Sequence, residues 1–132
     1  VVVAGDGPIS WTSIKDLGLA TALVAVDGSE KYEGKTLYLS APTTRTLRDV
    51  ARVVSEVEGR KVEVKIVGRD EYVEHYVRMG KDRASVEWWV SSYKALERSE
   101  CDIKDRTLSE LLDARGLKSK PAEETIKETL AA

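Results

Sequence analysis

Short β-prone stretches alternate with helix-starting sequences through the first half of the chain, and this alternation restricts the fold more than any other feature. Residues 9–12 run into Ser13-Ile14-Lys15-Asp16, which has capping-box spacing with aspartate in the acidic position. Residues 36–39 are followed, after a loop containing Pro42, by Thr46-Leu47-Arg48-Asp49, the same arrangement again. The first helix is expected to reach about Val26, where Asp27-Gly28 supplies a stop. Its apolar residues are too many for one narrow stripe, so it is expected to be mostly buried. Gly18 and Ala22 share one of its faces and would admit a neighbouring backbone. In the second helix Leu47, Val50, Val54 and Val57 keep helical spacing up to Gly59. Val62, Val64 and Ile66 then alternate with Glu63 and Lys65, the pattern of a half-exposed strand. This order of strand, helix, strand, helix, strand favours parallel crossovers and an α/β layer, with antiparallel pairing of the last strand left open.

The second half reads as helical. A segment from Gly68-Arg69-Asp70 through Met79 puts Tyr72, His75, Tyr76 and Met79 near one side, and Gly80 breaks it. Residues 84–98 form the next expected helix, carrying Val86, Trp88, Trp89, Val90, Tyr93 and Leu96. Thr107-Leu108-Ser109-Glu110 is a third capping box, and Gly116 stops the short helix it opens. Pro121 opens the last helix, where Ala122, Ile126 and Leu130 stack at four-residue spacing. Residues 80–83 make the best hinge. The expected division is therefore 1–67 for the strand and helix elements and 68–132 for a helical part. The opening Val1-Val2-Val3-Ala4 lacks a methionine and runs as a strand end into the turn Gly5-Asp6-Gly7-Pro8. With so few and such short strands, the chain is read as a fragment of a larger sheet; removal of a leader is the alternative.

Composition closes off much chemistry. Twenty-one Lys and Arg against 23 Asp and Glu give a formal net charge of -2, without the broad basic field that nucleic acid or an anionic membrane attracts. No apolar run approaches the roughly 18–20 residues of a membrane span. A single cysteine, Cys101, excludes an internal disulfide framework and cysteine-rich zinc sites, and a single histidine, His75, excludes two-histidine metal motifs. Gly5 and Gly7 precede Pro8 instead of a helix start, so they read as a turn and not as a phosphate loop. Cys101 lies between Glu100 and Asp102, which oppose a thiolate. Glu71 sits one turn before His75 and could tune a base, but an ordinary helix contact explains the pair as well. Glu123 and Glu124 suit the first turn of the last helix.

The aromatic residues carry more information. Trp89 and Tyr93 share a face, while Trp88 points elsewhere. With Tyr72, Tyr76, Met79 and Trp11 they are expected to line an apolar substrate pocket with polar handles. Plain packing between two helices is the competing reading.

Taken in order, these motifs resemble the C-terminal portion of the NmrA-like, atypical short-chain dehydrogenase/reductase proteins of the extended NAD(P)-binding Rossmann group. The resemblance rests on Gly5-Asp6-Gly7 followed by Ile9-Ser10-Trp11-Thr12-Ser13-Ile14, then Asp16-Leu17-Gly18 and Ala20-Thr21-Ala22. It continues through Gly34-Lys35-Thr36-Leu37-Tyr38-Leu39-Ser40, Thr46-Leu47-Arg48-Asp49-Val50-Ala51 and Gly59-Arg60-Lys61-Val62. Glu71-Tyr72, Thr107-Leu108-Ser109-Glu110-Leu111-Leu112 and residues 121–130 complete it. One departure stands out: after Leu111-Leu112 the family commonly runs through a Gly-Arg-x-Pro turn, whereas here residues 113–120 precede Pro121.

The resemblance implies late strand–helix elements of a Rossmann-like parallel sheet plus a small, mostly helical substrate-side domain. It implies a parent protein that binds NADP or NAD through a glycine-rich loop outside this sequence. The tyrosine or lysine acid–base group of the family's reductases would lie outside it as well. No catalytic, cofactor-binding or metal residue is then expected in this chain, and no cofactor for the chain alone. The expected function is the substrate-binding part of an NAD(P)-dependent oxidoreductase, inactive alone; a non-catalytic interaction module of an NAD(P)-sensing regulator is the alternative. Expected partners are the missing N-terminal Rossmann portion, a small-molecule substrate and, through uncovered faces, a second copy. Nucleic acid and membrane are not expected, and the expected compartment is the cytoplasm.

Overall fold

A computed structural model describes residues 1–27 and 30–132. Gly28 of the expected helix stop and Ser29 of the loop after it lie outside the described residues. The described residues fall into two compact units, one of residues 1–9 and 45–101, the other of residues 10–44 and 102–132. Each unit draws on both sides of residue 67.

In the first unit, β1 (Val2–Val3) pairs in parallel with β2 (Lys65–Ile66), in the register Val2 to Lys65 and Val3 to Ile66. Lys65 N–H donates to the Val1 carbonyl at 2.8 Å and Val67 N–H to the Val3 carbonyl at 2.9 Å. The pairing is thus parallel, but the alternation of 62, 64 and 66 breaks at its end. Val62 and Val64 are half-buried, Ile66 is exposed and Val67 is buried in its place. Only two residues of the expected strand join the ladder.

The helix α2 (Leu47–Glu58) forms where the sequence places it. Thr46 Oγ1 accepts from Asp49 N–H at 3.1 Å and Asp49 Oδ2 accepts from Thr46 N–H at 2.9 Å, so the capping box is complete. Such a cap stabilises a helix by about 1 kcal/mol. The Thr46 N–H first, and then the Thr46 hydroxyl, which also donates to Asp49 Oδ2 at 2.9 Å, hold the Asp49 carboxyl below its ordinary range. At the other end Gly59 takes φ 64, and Ser55 Oγ accepts from Val62 N–H at 2.9 Å, turning the chain back along the helix.

Three further helices complete the unit: α3 (Arg69–Arg78), α4 (Arg83–Val90) and α5 (Tyr93–Glu97). Val67, Tyr72, Val73, Val86 and Val90 form the core, with Val2, Ala4, Tyr76, Val77 and Tyr93 against it. Expectation and structure differ over residues 84–98, which are two helices and not one. Ser91 Oγ–H donates to the Trp88 carbonyl at 2.7 Å and Ser92 Oγ–H to the Trp89 carbonyl at 2.8 Å. Paired serine hydroxyls compete with the backbone for helix carbonyls, and the ladder tightens to three-residue steps there.

The Gly5–Pro8 turn is shaped by close packing. A Cβ on Gly7 would sit 2.1 Å from the Leu96 carbonyl oxygen, and one on Gly5 would lie 3.2 Å from the Tyr93 carbonyl oxygen and the Glu97 side chain. Asp6 Oδ1 accepts from Gly7 N–H at 2.9 Å and from Leu47 N–H at 2.7 Å. Of the expected strand at 9–12 only Ile9 pairs, antiparallel with Arg45, at the point where the chain leaves the unit and returns.

The second unit contains α1 (Ile14–Val26), α6 (Thr107–Asp113) and α7 (Ala122–Ala131). Its core is Ala20, Leu108 and Leu112, with Leu39 and Leu111 beside them. The expectation of a mostly buried first helix is overturned: Ala20 is its one buried residue among those described, while Ile14 is 88% and Val26 74% exposed. Gly18 has open space within 4 Å of where a Cβ would stand, so no backbone approaches it there among the described residues. Residues 36–39 form no strand, because the unit offers them no partner strand among the described residues; in the 9–12 stretch, side chains substitute for a ladder. Thr12 Oγ1 accepts from Ala41 N–H at 2.8 Å and Ser10 Oγ from Ile103 N–H at 3.0 Å.

Ser13 caps α1 as expected, accepting from Asp16 N–H at 3.0 Å, but Asp16 Oδ2 turns away to accept from Lys120 N–H at 2.7 Å. The third box does not form. Asp105 Oδ1 accepts from Thr107 N–H at 2.7 Å, and Thr107 is already helical. Pro121 precedes α7 as read. Among the described residues no helix is long and apolar enough to cross a membrane.

One position stores backbone strain. Ser99, just past α5, has φ 57, and its neighbours close the helix end through Ser99 N–H to the Leu96 carbonyl and Glu100 N–H to the Ala95 carbonyl. Glycine adopts this conformation without steric cost. Ser99→Gly is therefore expected to raise unfolding stability by about 0.5–1 kcal/mol, and Gly7→Ala to lower it by about 1–3 kcal/mol through the Leu96 clash. Urea unfolding measures both, and equal midpoints for all three proteins would refute this account of the turn and the cap.

Candidate functional site

The aromatic residues of the first unit converge because α3 places Tyr72 and Tyr76 one turn apart on the same face. Their ring centroids lie 4.7 Å apart, and the ring of Tyr93, from α5, meets Tyr72 edge-on at 5.2 Å. Tyr93 O–H donates to the Tyr72 hydroxyl at 3.4 Å, and Tyr76 O–H donates to the Val2 carbonyl at 2.9 Å. Tyr76 thereby ties α3 to β1.

A tight turn joins α3 to α4. Gly80 takes φ 85, and Lys81 N–H donates to the Tyr76 carbonyl at 3.0 Å. Asp82 then caps α4, its Oδ2 accepting from Ser85 N–H at 2.8 Å and from Ser85 Oγ–H at 2.9 Å. These bonds, the backbone one first, draw the Asp82 carboxyl below its ordinary range. Arg83 reaches back to Glu74 at 2.6 Å and along its own helix to Glu87 at 3.6 Å.

Between these two helices opens a cavity of about 720 Å³, lined by Tyr72, Tyr76, Lys81, Asp82, Ala84, Ser85, Val86, Trp88 and Trp89. The tryptophans are 75% and 55% exposed, with ring centroids 6.1 Å apart. Exposed paired indoles beside a concave apolar surface are the usual furniture of a ligand site.

Of the six residues proposed from sequence, Tyr72, Tyr76 and Trp89 line this cavity, and Tyr93 stands behind Tyr72. Met79 ends α3 with its side chain exposed. Trp11 belongs to the second unit. Trp88, expected to point elsewhere, lines the cavity too. The polar residues Lys81, Asp82 and Ser85 were missed because residues 80–83 read as a hinge. The signal was present: Asp82 three residues before Ser85, ahead of the Val86 and Val90 spacing, is an N-cap pattern.

Burial, then the hydrogen bond from Tyr93, pushes the Tyr72 phenol well above the ordinary tyrosine range, and burial raises Tyr76 as well. Both remain neutral phenols at physiological pH. Glu71 pairs with Lys65 at 2.8 Å, and the His75 ring stands edge-on to Tyr76. Cys101 is a free, half-buried thiol. Among the described residues no group of three or more His, Cys, Asp or Glu could hold a metal ion.

A larger concavity, about 870 Å³, lies along α2 and is lined by Arg48, Arg52, Arg60, Lys61 and Lys65, among others. Its cations are largely committed: Arg52 to Asp49 and Glu56, Arg60 to Glu58, Lys61 to Glu63 and Lys65 to Glu71. These surface pairs leave little free positive charge, so size alone does not make this concavity the site.

The raised Tyr72 value gives a test. A folded-state pKa above the unfolded one, about 10, contributes stability below that pH and loses it as pH rises toward the folded value. In the folded protein, Tyr72→Phe is expected to leave the phenolate absorbance gained between about pH 9 and 11 unchanged. A loss of one tyrosine's amplitude would show that Tyr72 is solvated and the cavity floor open to water.

No family model matches the chain. It is 33% identical over 110 residues to an NmrA-like family domain-containing oxidoreductase of Aspergillus flavus, an alignment covering 81% of this chain and 35% of that protein. It is 25% identical over 71 residues to prestalk A differentiation protein A of Dictyostelium discoideum. Among solved structures, the triphenylmethane reductase of Citrobacter sp. matches over 100% of this chain and 44% of its own, with TM-score 0.86 and 27% identity. The same reductase in complex with NADP(H) matches over 97% of this chain. An NADPH-dependent quinone oxidoreductase of Escherichia coli, 20% identical with TM-score 0.84, shares the fold. The chain is related to the NmrA-like and triphenylmethane-reductase proteins, has a Rossmann-like α/β fold with a small parallel sheet, and spans less than half the length of these relatives.

Proposed function

We propose that this chain is the substrate-binding, C-terminal part of an NmrA-like NAD(P)-dependent oxidoreductase, and that it does not turn over by itself. The observation that carries the reading is the match of the whole chain to 44% of a reductase whose structure has also been solved with NADP(H). The aromatic cavity between α3 and α4 supports it, as a surface suited to a planar organic molecule.

The Gly5–Pro8 turn does not fit a dinucleotide phosphate. A phosphate needs unoccupied backbone N–H groups at a glycine turn and a helix start. Here Asp6 already takes the N–H groups of Gly7 and Leu47, and Gly7 is pressed against the Leu96 carbonyl. An anion is built into the place a phosphate would need. The nicotinamide, which must be held against the substrate for hydride transfer, is in this reading supplied by an N-terminal Rossmann portion. That portion would cover the apolar side chains that α1 leaves open, Ile14 and Leu17 among them. The alternative reading is a non-catalytic interaction module of an NAD(P)-sensing regulatory protein.

Calorimetry with NADPH tests the first half: the 132-residue chain is expected to give no saturable heat. The longer protein carrying it is expected to bind NADPH and to oxidise it when a quinone or a triphenylmethane dye is added. Tight stoichiometric binding by the chain alone would overturn the division of labour. Binding without oxidation by the longer protein would favour the sensing module.

A further inference from the structure

The strand β2 keeps one side of its backbone open. Lys65 N–H and Val67 N–H donate to the Val1 and Val3 carbonyls, and the Glu63 carbonyl accepts from the Val1 ammonium at 2.7 Å. Residues 63, 65 and 67 thus turn their backbone groups toward β1, and strand alternation turns those of 62, 64 and 66 the opposite way. At Val62 the outer side is closed by α2, because Val62 N–H donates to Ser55 Oγ. No hydrogen bond among the described residues takes the N–H or C=O of Val64 or Ile66. The groove of about 870 Å³ along α2 takes in Ala51, Ser55, Val62 and Val64. Ile66, 40% exposed, extends the apolar row beyond it. An open strand edge of this kind is a template for a further strand.

We propose that this edge pairs antiparallel with the same edge of a second copy, about a two-fold axis at Val64. The segment Val62-Glu63-Val64-Lys65-Ile66 complements itself when reversed. With Val64 facing Val64, each N–H meets the other copy's carbonyl. Ile66 N–H of each copy then meets the Val62 carbonyl of the other, whose own contact with Ser55 Oγ–H is a long one at 3.5 Å. Between these pairs Glu63 of each copy faces Lys65 of the other, at non-hydrogen-bonded positions where side chains come closest. Neighbouring registers oppose like charges, which destabilises a sheet. An axis at 63 sets Glu63 against Glu63 and Lys61 against Lys65, and an axis at 65 sets Lys65 against Lys65. A strand of a single charge sign would leave either Glu63 or Lys65 facing a like charge; this segment reversed leaves neither. The ion pairs these residues already make, Glu63 with Lys61 and Lys65 with Glu71, lie at the surface and exchange at little cost. The pairing involves neither nucleotide nor substrate and is independent of the proposed function.

Sedimentation velocity of the 132-residue chain at increasing concentration tests this. A reversible dimer is expected, at the weak end of specific association because the ladder is short. Glu63→Lys and Lys65→Glu are each expected to weaken it about tenfold, since each sets like charges opposite one another twice in the dimer. Mixing the two variants is expected to restore dimerisation, and so is combining both substitutions in one chain, because each arrangement again pairs opposite charges. Val64→Pro removes an outward N–H without touching the bonds to β1 and is expected to abolish the dimer. A chain that stays monomeric, a dimer indifferent to Val64→Pro or to either charge reversal, or variants that remain monomeric when mixed and when combined would each overturn the inference. Restoration in the mixture also shows that the single variants fold, so their weakened dimers report the pairing itself.

Discussion

One carboxylate organises the first unit. Asp6 Oδ1 accepts from Gly7 N–H and from Leu47 N–H, so the chain leaving β1 and the chain entering α2 share a single acceptor although 41 positions separate Asp6 from Leu47 in sequence. A helix begins with N–H groups that lack partners inside the helix, and Asp6 supplies one from outside. The antiparallel pairing of Ile9 with Arg45 closes the same neck, and Gly7 lies flush on the Leu96 carbonyl. With β1 held there, its ladder to β2 needs only two residues, and Tyr76 can reach the Val2 carbonyl to bring α3 down on it. The position of the aromatic cavity follows from that chain of contacts.

The cavity itself is a product of two helix ends. Gly80 lets the chain reverse in a left-handed conformation, and Asp82 starts α4 at once. The short link brings Tyr72 and Tyr76 of α3 and Trp88 and Trp89 of α4 to one cavity. The phenols are neutral at physiological pH, and Asp82 stays ionised while its Oδ2 caps α4. The cavity thus offers stacking faces together with charged groups of both signs, Lys81 and Asp82.

Local chemistry was legible in the residues, and tertiary compensation was not. The boxes at 46–49 and the cap at Ser13 follow from side chains that bond their own backbone neighbours. Tyr72, Tyr76 and Trp89 could be gathered because helical spacing fixes their faces. The strand at 36–39 failed for the opposite reason: β-prone residues make a strand only where another strand accepts their hydrogen bonds. Ser91 and Ser92 interrupt a helix whose apolar pattern runs straight through them. Asp105 overrides the box at 107–110 by reaching Thr107 N–H first. The apolar surface of α1 misled in a different way, since hydrophobic pattern reports what a helix is able to cover and not what covers it here.

The core of the second unit joins segments from opposite ends of the chain: Ala20 of α1 is enclosed by Leu108 and Leu112 of α6. During synthesis these partners appear far apart in time. At roughly 5–20 residues per second, α1 emerges from the ribosome several seconds before α6 exists. Throughout that interval Leu39 is the member of its core cluster already made, while Leu108, Leu111 and Leu112 are missing. A nascent chain of this design has a window in which holding factors, or its own early misassociation, compete for that helix, and the window closes only when the last quarter of the sequence has been made.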